Sequence, residues 1–237
     1  MPEVKPGWVL IEVKAFGLNR SEMYTRQGHS GDAVKFPRVL GIECVGQVVD
    51  PSDSDFRPNQ KVAAVMGGMG RVFDGSYAQY VLVPKVQVLP LDKESKPTEL
   101  SWEKLAAIPE TYLTAWSSMI DAMGVPTDVP LNVPVEEQID KTILIRGATS
   151  SVGRAAMSIA SYLDLVILAT TRSESKKALL EEAGARHVII DDGNIQDKVK
   201  EIVPEGVHYC LELVGAATLK DSLQCVRRGG AICNTGI

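Results

Sequence analysis

The sequence has no apolar run near the ~18–20 residues that cross a bilayer, so no membrane-spanning helix is expected. Its opening residues, Met1-Pro2-Glu3-Val4-Lys5-Pro6, lack the apolar stretch of a signal peptide. An excess of positive charge is missing too. The 25 Lys and Arg stand against 30 Asp and Glu, and the net charge of −5 offers no attraction to nucleic acid or to an anionic membrane. The four cysteines (Cys44, Cys210, Cys225, Cys233) form no C-x-x-C pair, and His29, His187 and His208 are isolated. That spacing speaks against a zinc ribbon and a disulfide framework. Reduced, mostly buried thiols in a cytoplasmic protein are the expectation. Internal repeats and low-complexity tracts are likewise missing. What remains is an ordinary globular composition, 45% apolar over 237 residues. At roughly 100–200 residues per domain, this suffices for two modest domains.

The chain changes character near residue 110. Before it, Val9, Ile11, Val13 and Ala15 alternate with Leu10, Glu12 and Lys14, the period-2 pattern of a strand. Residues 39–49, 62–65 and 77–83 are rich in strand formers, and turn-formers separate them at 50–55 and 66–70. Residues 1–110 therefore read as a small β-rich domain. Ser101 is an expected helix N-cap, with Lys104 where a capping box prefers Glu or Gln. A second helix is expected over 111–123. Pro126, Pro130 and Pro134 make 125–134 a surface connection. Over 111–237, strands at 142–146, 165–170, 187–190, 207–213 and 231–234 alternate with helices at 152–162, 174–183, 195–203 and 217–226. Gly184 and Gly229-Gly230 are expected helix stops. This alternation predicts an α/β fold with a doubly wound parallel sheet.

The first strand of this half, Ile143-Leu144-Ile145, runs into Arg146-Gly147-Ala148-Thr149-Ser150-Ser151-Val152-Gly153. Gly147 permits a sharp turn. Small side chains at Thr149, Ser150 and Ser151 let the backbone approach a phosphate, and Val152 and Gly153 open a helix whose free N–H groups face it. The strict G-x-G-x-x-G is not present, because Thr149 and Ser150 stand where glycine is expected. About 20 residues on, an NAD site would carry a carboxylate for the ribose 2′-hydroxyl. Thr171, Arg172 and Ser173 stand there instead, followed by Lys176. Arg172 and Lys176 can neutralise a 2′-phosphate, which points to NADPH. Val214 and Gly215, after the fourth strand, complete the expected cofactor-binding set.

The chain resembles the medium-chain dehydrogenase/reductase superfamily, most closely its zinc-free quinone-reductase-like branch. The resemblance rests on residues 15–22 (AFGLNRSE), 37–43 (PRVLGIE), 74–80 (DGSYAQY), Ile108-Pro109-Glu110 with Leu113-Thr114-Ala115-Trp116, and the glycine turn. It implies a GroES-like catalytic domain over 1–110, a Rossmann NADP-binding domain over 111–237, and an active site in the cleft between them. Zinc-dependent members carry an early Cys, then Gly-His-Glu. Here Asn19 stands in the region of that Cys and Gly41-Ile42-Glu43 replaces the triplet. Isoleucine cannot ligate a metal, so no metal is expected.

The resemblance implies an enzyme that reduces a small-molecule quinone or α,β-unsaturated carbonyl. Asn19 and Tyr24 are the expected catalytic residues, polarising the carbonyl oxygen. Thr114 matches a position near the nicotinamide carboxamide. The loop at 66–70 is expected beside the cleft, and the three histidines in structural roles. Relatives begin some tens of residues earlier and continue beyond the strand at 231–234, so a shortened chain is expected. A homodimer is the implied assembly, although the sheet edge that forms it in relatives follows that strand. The alternative readings are a nucleotide-binding protein without turnover and an alcohol dehydrogenase acting without zinc.

Overall fold

The computed structural model describes residues 1–91, 99–127 and 141–236. They gather into two compact units, Met1–Glu110 and Thr111–Ile237.

The first unit is built on an antiparallel sheet of order β4-β1-β2-β3-β5, formed by β1 (Trp8–Ala15), β2 (Glu43–Asp50), β3 (Lys61–Val65), β4 (Tyr80–Pro84) and β5 (Val88–Pro90). Val9, Ile11, Cys44, Val48, Val62, Ala64, Val81 and Val83 pack one face, as period-2 alternation requires. On the other face, Val45 and Ala63 meet Leu105 and Ala106 of helix α2 (Trp102–Ala106). The Ser101 cap is present, accepting the Lys104 N–H at 3.5 Å. A short helix α1 (Arg20–Arg26) follows β1.

Two strands start later than their composition suggests. Residues 39–42 do not pair in the strand, because Gly41 (φ +109°) turns the chain at a place where any Cβ would collide with Ser76 and Tyr77. Residues 75–77 are held in turn by Val39, Leu40 and Gly41 carbonyls. Tyr77 therefore lies ahead of β4, not in it.

The second unit holds a parallel sheet of order β10-β9-β6-β7-β8: β6 (Thr142–Arg146), β7 (Val166–Thr171), β8 (His187–Ile190), β9 (Val207–Glu212) and β10 (Val226–Asn234). The helices are α3 (Pro109–Trp116), which crosses the boundary between units, α4 (Ser151–Tyr162), α5 (Lys177–Glu182), α6 (Gln196–Ile202) and α7 (Ala216–Gln224). Ile143 and Ile145 pack toward Ala155, Ala156 and Ile159 of α4, whereas Leu144 joins Val199, Val207 and Cys225 in the opposite core. Both faces are thus covered, the doubly wound arrangement. The chain reverses its direction of strand addition between β6 and β9.

Three expectations are corrected here. The helix expected over 111–123 starts at Pro109, a residue suited to a first helical position, and loosens into a π-helical turn at Ser117–Ala122. The helix expected over 174–183 begins as a 3₁₀ turn at Glu174–Lys176. Gly229-Gly230 do not end a helix. α7 stops at Gln224, and both glycines lie in β10, where Gly229 takes φ +78°. A Cβ on Gly230 would approach the His208 carbonyl oxygen to 2.8 Å, so the irregular stretch between Val226 and Ala231 needs a glycine there. Gly184 does stop its helix, at φ +100°. The proline-rich connection expected over 125–134 falls mainly outside the described residues.

Candidate functional site

The turn between β6 and α4 is built for close approach. Gly147 takes φ +87°, a conformation that favours glycine. Its N–H donates to Thr170 Oγ1 at 3.0 Å, tying the turn to β7. Ser150 caps α4, its Oγ accepting the Gly153 N–H at 3.1 Å and donating to the Gly147 carbonyl at 2.8 Å. The N–H groups of Ser151 and Val152 have no partner among the described residues, as is usual in the first turn of a helix. A Cβ on Gly153 would lie 2.7 Å from Ala148 Cα and from the Gly147 carbonyl oxygen, so only glycine lets α4 seat this tightly. Thr149 sits in the turn itself.

At the neighbouring end of β7, Thr171 is buried and its Oγ1 accepts the Ser173 N–H at 3.2 Å. Arg172 and Lys176 project into solvent without an ion-pair partner among the described residues. Val214 and Gly215 follow β9 beside the turn, Leu213 Cβ lying 3.4 Å from a Cβ built on Gly147. Their N–H groups, however, are not open: both donate to Glu212 Oε1, at 2.7 and 3.1 Å. Contacts from this segment must therefore use carbonyl oxygens or the half-exposed Val214 side chain. Thr114 is half-buried in α3.

In the first unit, Asn19 precedes α1 and donates its Nδ2–H to Glu43 Oε1 at 2.9 Å. Its backbone N–H donates to Glu22 Oε2 at 2.7 Å, one arm of a capping box. Glu22 also accepts the Ile42 N–H at 2.7 Å and the Tyr77 hydroxyl at 2.6 Å. Glu43 further accepts the Glu110 N–H at 2.8 Å. Both carboxylates are almost fully buried, at 4% and 2% exposure. Burial raises Glu43 above its ordinary pKa, against the opposing hydrogen bonds from Asn19 and the Glu110 N–H. Tyr77 is also raised, by burial and then by its bond to Glu22. Tyr24, half-buried, meets the His29 ring edge-on at 5.7 Å, and the cluster does not include it.

Glu22, Glu43 and Tyr77 carry most of this cluster's hydrogen bonds and were not among the expected site residues. Glu43 could have been suspected, since a charged residue stands directly between Ile42 and the apolar pair Cys44-Val45. Among the described residues, no group of three His, Cys, Asp or Glu is placed to hold a metal.

Comparison with known proteins gives this architecture its place. Residues 5–93 match the alcohol dehydrogenase GroES-like domain, and residues 151–237 match the zinc-binding dehydrogenase family. Human quinone oxidoreductase is 28% identical over 240 residues, 100% of this chain and 66% of that protein. A trans-enoyl reductase from Aspergillus terreus is 31% identical over 220 residues, 88% of this chain and 68% of that one. The chain belongs to the medium-chain dehydrogenase/reductase superfamily, in its quinone-oxidoreductase-like branch. The solved structure of an NAD-dependent alcohol dehydrogenase superposes with a TM-score of 0.81 at 27% identity, covering 98% of this chain and 70% of that one. The chain thus spans about two thirds of the length of these superfamily members. The superfamily assignment names the first unit GroES-like and the second Rossmann-like. No helix among the described residues is long and apolar enough to cross a membrane.

Proposed function

We propose that this superfamily member is an NADPH-dependent oxidoreductase that reduces quinones or α,β-unsaturated carbonyls without a metal. The observation that carries the reading is the carboxyl end of β7. Two exposed cations, Arg172 and Lys176, occupy the place where a carboxylate would select NAD, next to the tight Gly147–Gly153 turn. The turn fits a pyrophosphate: the glycines at 147 and 153 keep it compact, and Ser151 and Val152 offer open N–H groups. Thr171, Ser173 and the Val214 carbonyl oxygen would line the rest of the ligand, with Thr114 near its nicotinamide carboxamide.

Bound NADPH supplies a hydride. The protein's own groups orient it, exclude water and stabilise charge on the substrate oxygen. Asn19 keeps one Nδ2 hydrogen beyond the bond to Glu43, and that hydrogen can be donated to a developing enolate or phenolate. Glu43 holds the amide with its donor side fixed. Tyr24 can donate its hydroxyl proton. The metal-free reading rests on Ile42, whose side chain has no lone pair and whose N–H is held by Glu22.

A second reading, nucleotide binding without turnover, is favoured by the commitment of Asn19 to Glu43. NADPH consumption with a quinone or short enone separates the two; binding without consumption supports the second. For the cofactor, Arg172→Ala should raise the Kd for NADPH about 10- to 100-fold, the worth of a lost charge-assisted hydrogen bond, and leave NADH binding unchanged. Equal changes for both dinucleotides would refute the 2′-phosphate role.

A further inference from the structure

Arg146 is the last residue of β6 and has no exposed surface, yet none of the chemistry above uses it. Its Nε and Nη2 fork onto the two oxygens of Asp191, at 2.8 and 2.9 Å. Its Nη1 donates to Asp221 Oδ2 at 2.7 Å, to Ser222 Oγ at 2.9 Å and to the Thr218 carbonyl at 3.1 Å. Glu212 lies 4.0 Å from Nε and accepts the Ser222 hydroxyl.

The three carboxylates also grip backbone at the carboxyl edge of the sheet. Asp191 accepts the Gly193 N–H after β8 and the Thr170 hydroxyl, and that hydroxyl in turn accepts the Gly147 N–H. Glu212 holds the Val214 and Gly215 N–H groups after β9. Asp221 holds the Ile195 and Gln196 N–H groups at the start of α6. A single guanidinium thus links the Gly147 turn with the loops after β8 and β9, on both sides of the point where strand order reverses. Ligands of such sheets bind at that point.

We propose that Arg146 is a positioning residue for the dinucleotide, setting the spacing between the Gly147 turn and the Val214-Gly215 segment. The inference rests on the nucleotide reading above. One cation faces three carboxylates, so the cluster is net negative and cannot draw an anion by charge. Its contribution is geometric, through the planar fork. Lysine in its place keeps the charge and loses the fork.

The test is Arg146→Lys in the full chain, with Kd for NADPH and for NADH measured by fluorescence titration alongside a melting curve. Both Kd values should rise about tenfold and by the same factor, at a temperature where the variant is folded. In parallel, Arg172→Ala should affect NADPH alone. A folded Arg146→Lys that melts earlier but binds both dinucleotides as the parent does makes Arg146 a packing residue and overturns the inference. Should that variant not fold, Ser222→Ala removes only the hydroxyl between Nη1 and Glu212. It should weaken both dinucleotides about threefold, and unchanged binding again overturns the inference. A parent chain that binds neither dinucleotide overturns the nucleotide reading itself, and this inference with it.

Discussion

Each unit buries a cluster of acids, and the two clusters are satisfied by opposite means. In the first, the donors to Glu22 and Glu43 are neutral: an Asn amide, a Tyr hydroxyl and backbone N–H groups. In the second, Asp191 and Asp221 share the Arg146 guanidinium. Burial pushes both Glu43 and Asp191 toward the protonated form. Neutral donors do not overcome that push at Glu43, which stays raised. The hydrogen bond from Arg146 and the Gly193 N–H do overcome it at Asp191, which is lowered. At Glu43 neutral hydrogen bonds leave the pKa raised by burial and by the neighbouring acids, whereas at Asp191 a cation with matching geometry lowers it.

The largest effect should come from removing that cation. Arg146→Met leaves the second unit with buried, unpaired carboxylates and should cost about 3–5 kcal/mol, read by urea denaturation with hydrogen exchange on the β6 and β9 amides. A near-zero cost would show that the acids take up protons instead. Glu22→Gln presents an amide NH₂ to groups that donate, and should destabilise the first unit by about 1–3 kcal/mol. Exchange protection of the Asn19 and Ile42 amides should fall with it.

Smaller effects separate the two clusters by pH. Asp191 has its folded pKa below its unfolded one, so its contribution is present above about 3.9 and is lost as pH falls through the folded value. Glu43 has its folded pKa above the ordinary 4.5, so its contribution is full below 4.5 and is lost as pH rises through the folded value. Acidification toward pH 4.5 should therefore firm the first unit before further acid weakens the second. Parallel pH responses of the two units, followed by exchange on β1 and β6, would contradict the comparison. The smallest change is expected from Glu43→Gln at low pH, about 1 kcal/mol or less. That variant should also flatten the first unit's pH response.

Much of the fold is legible in the sequence itself. The alternation in 9–15 marked β1, and the alternation of strands and helices after residue 140 marked α4. The phosphate-type turn was legible because Gly147 and Gly153 lie within one tight local unit, where backbone sterics decide the outcome. Strand starts at Glu43 and Tyr80 were not, since the turn that delays both joins residues 39–41 to 75–77. The role of Gly229-Gly230 is hidden from the sequence for a similar reason: Gly230 answers to His208, a neighbour across the sheet.

The candidate site divides along the same line. The sequence alone determined the strand–helix alternation over 111–237, the glycine turn, the cationic pair Arg172 and Lys176, and the isoleucine inside Gly41-Ile42-Glu43. Each depends on residue type and short spacing. Only the tertiary structure decided that Asn19 is bound to Glu43 and that Arg146 joins Asp191 and Asp221. These partners lie as many as 75 residues apart along the chain. A buried polar group must find a partner wherever packing brings one, and which one it finds is settled only when the sheets close.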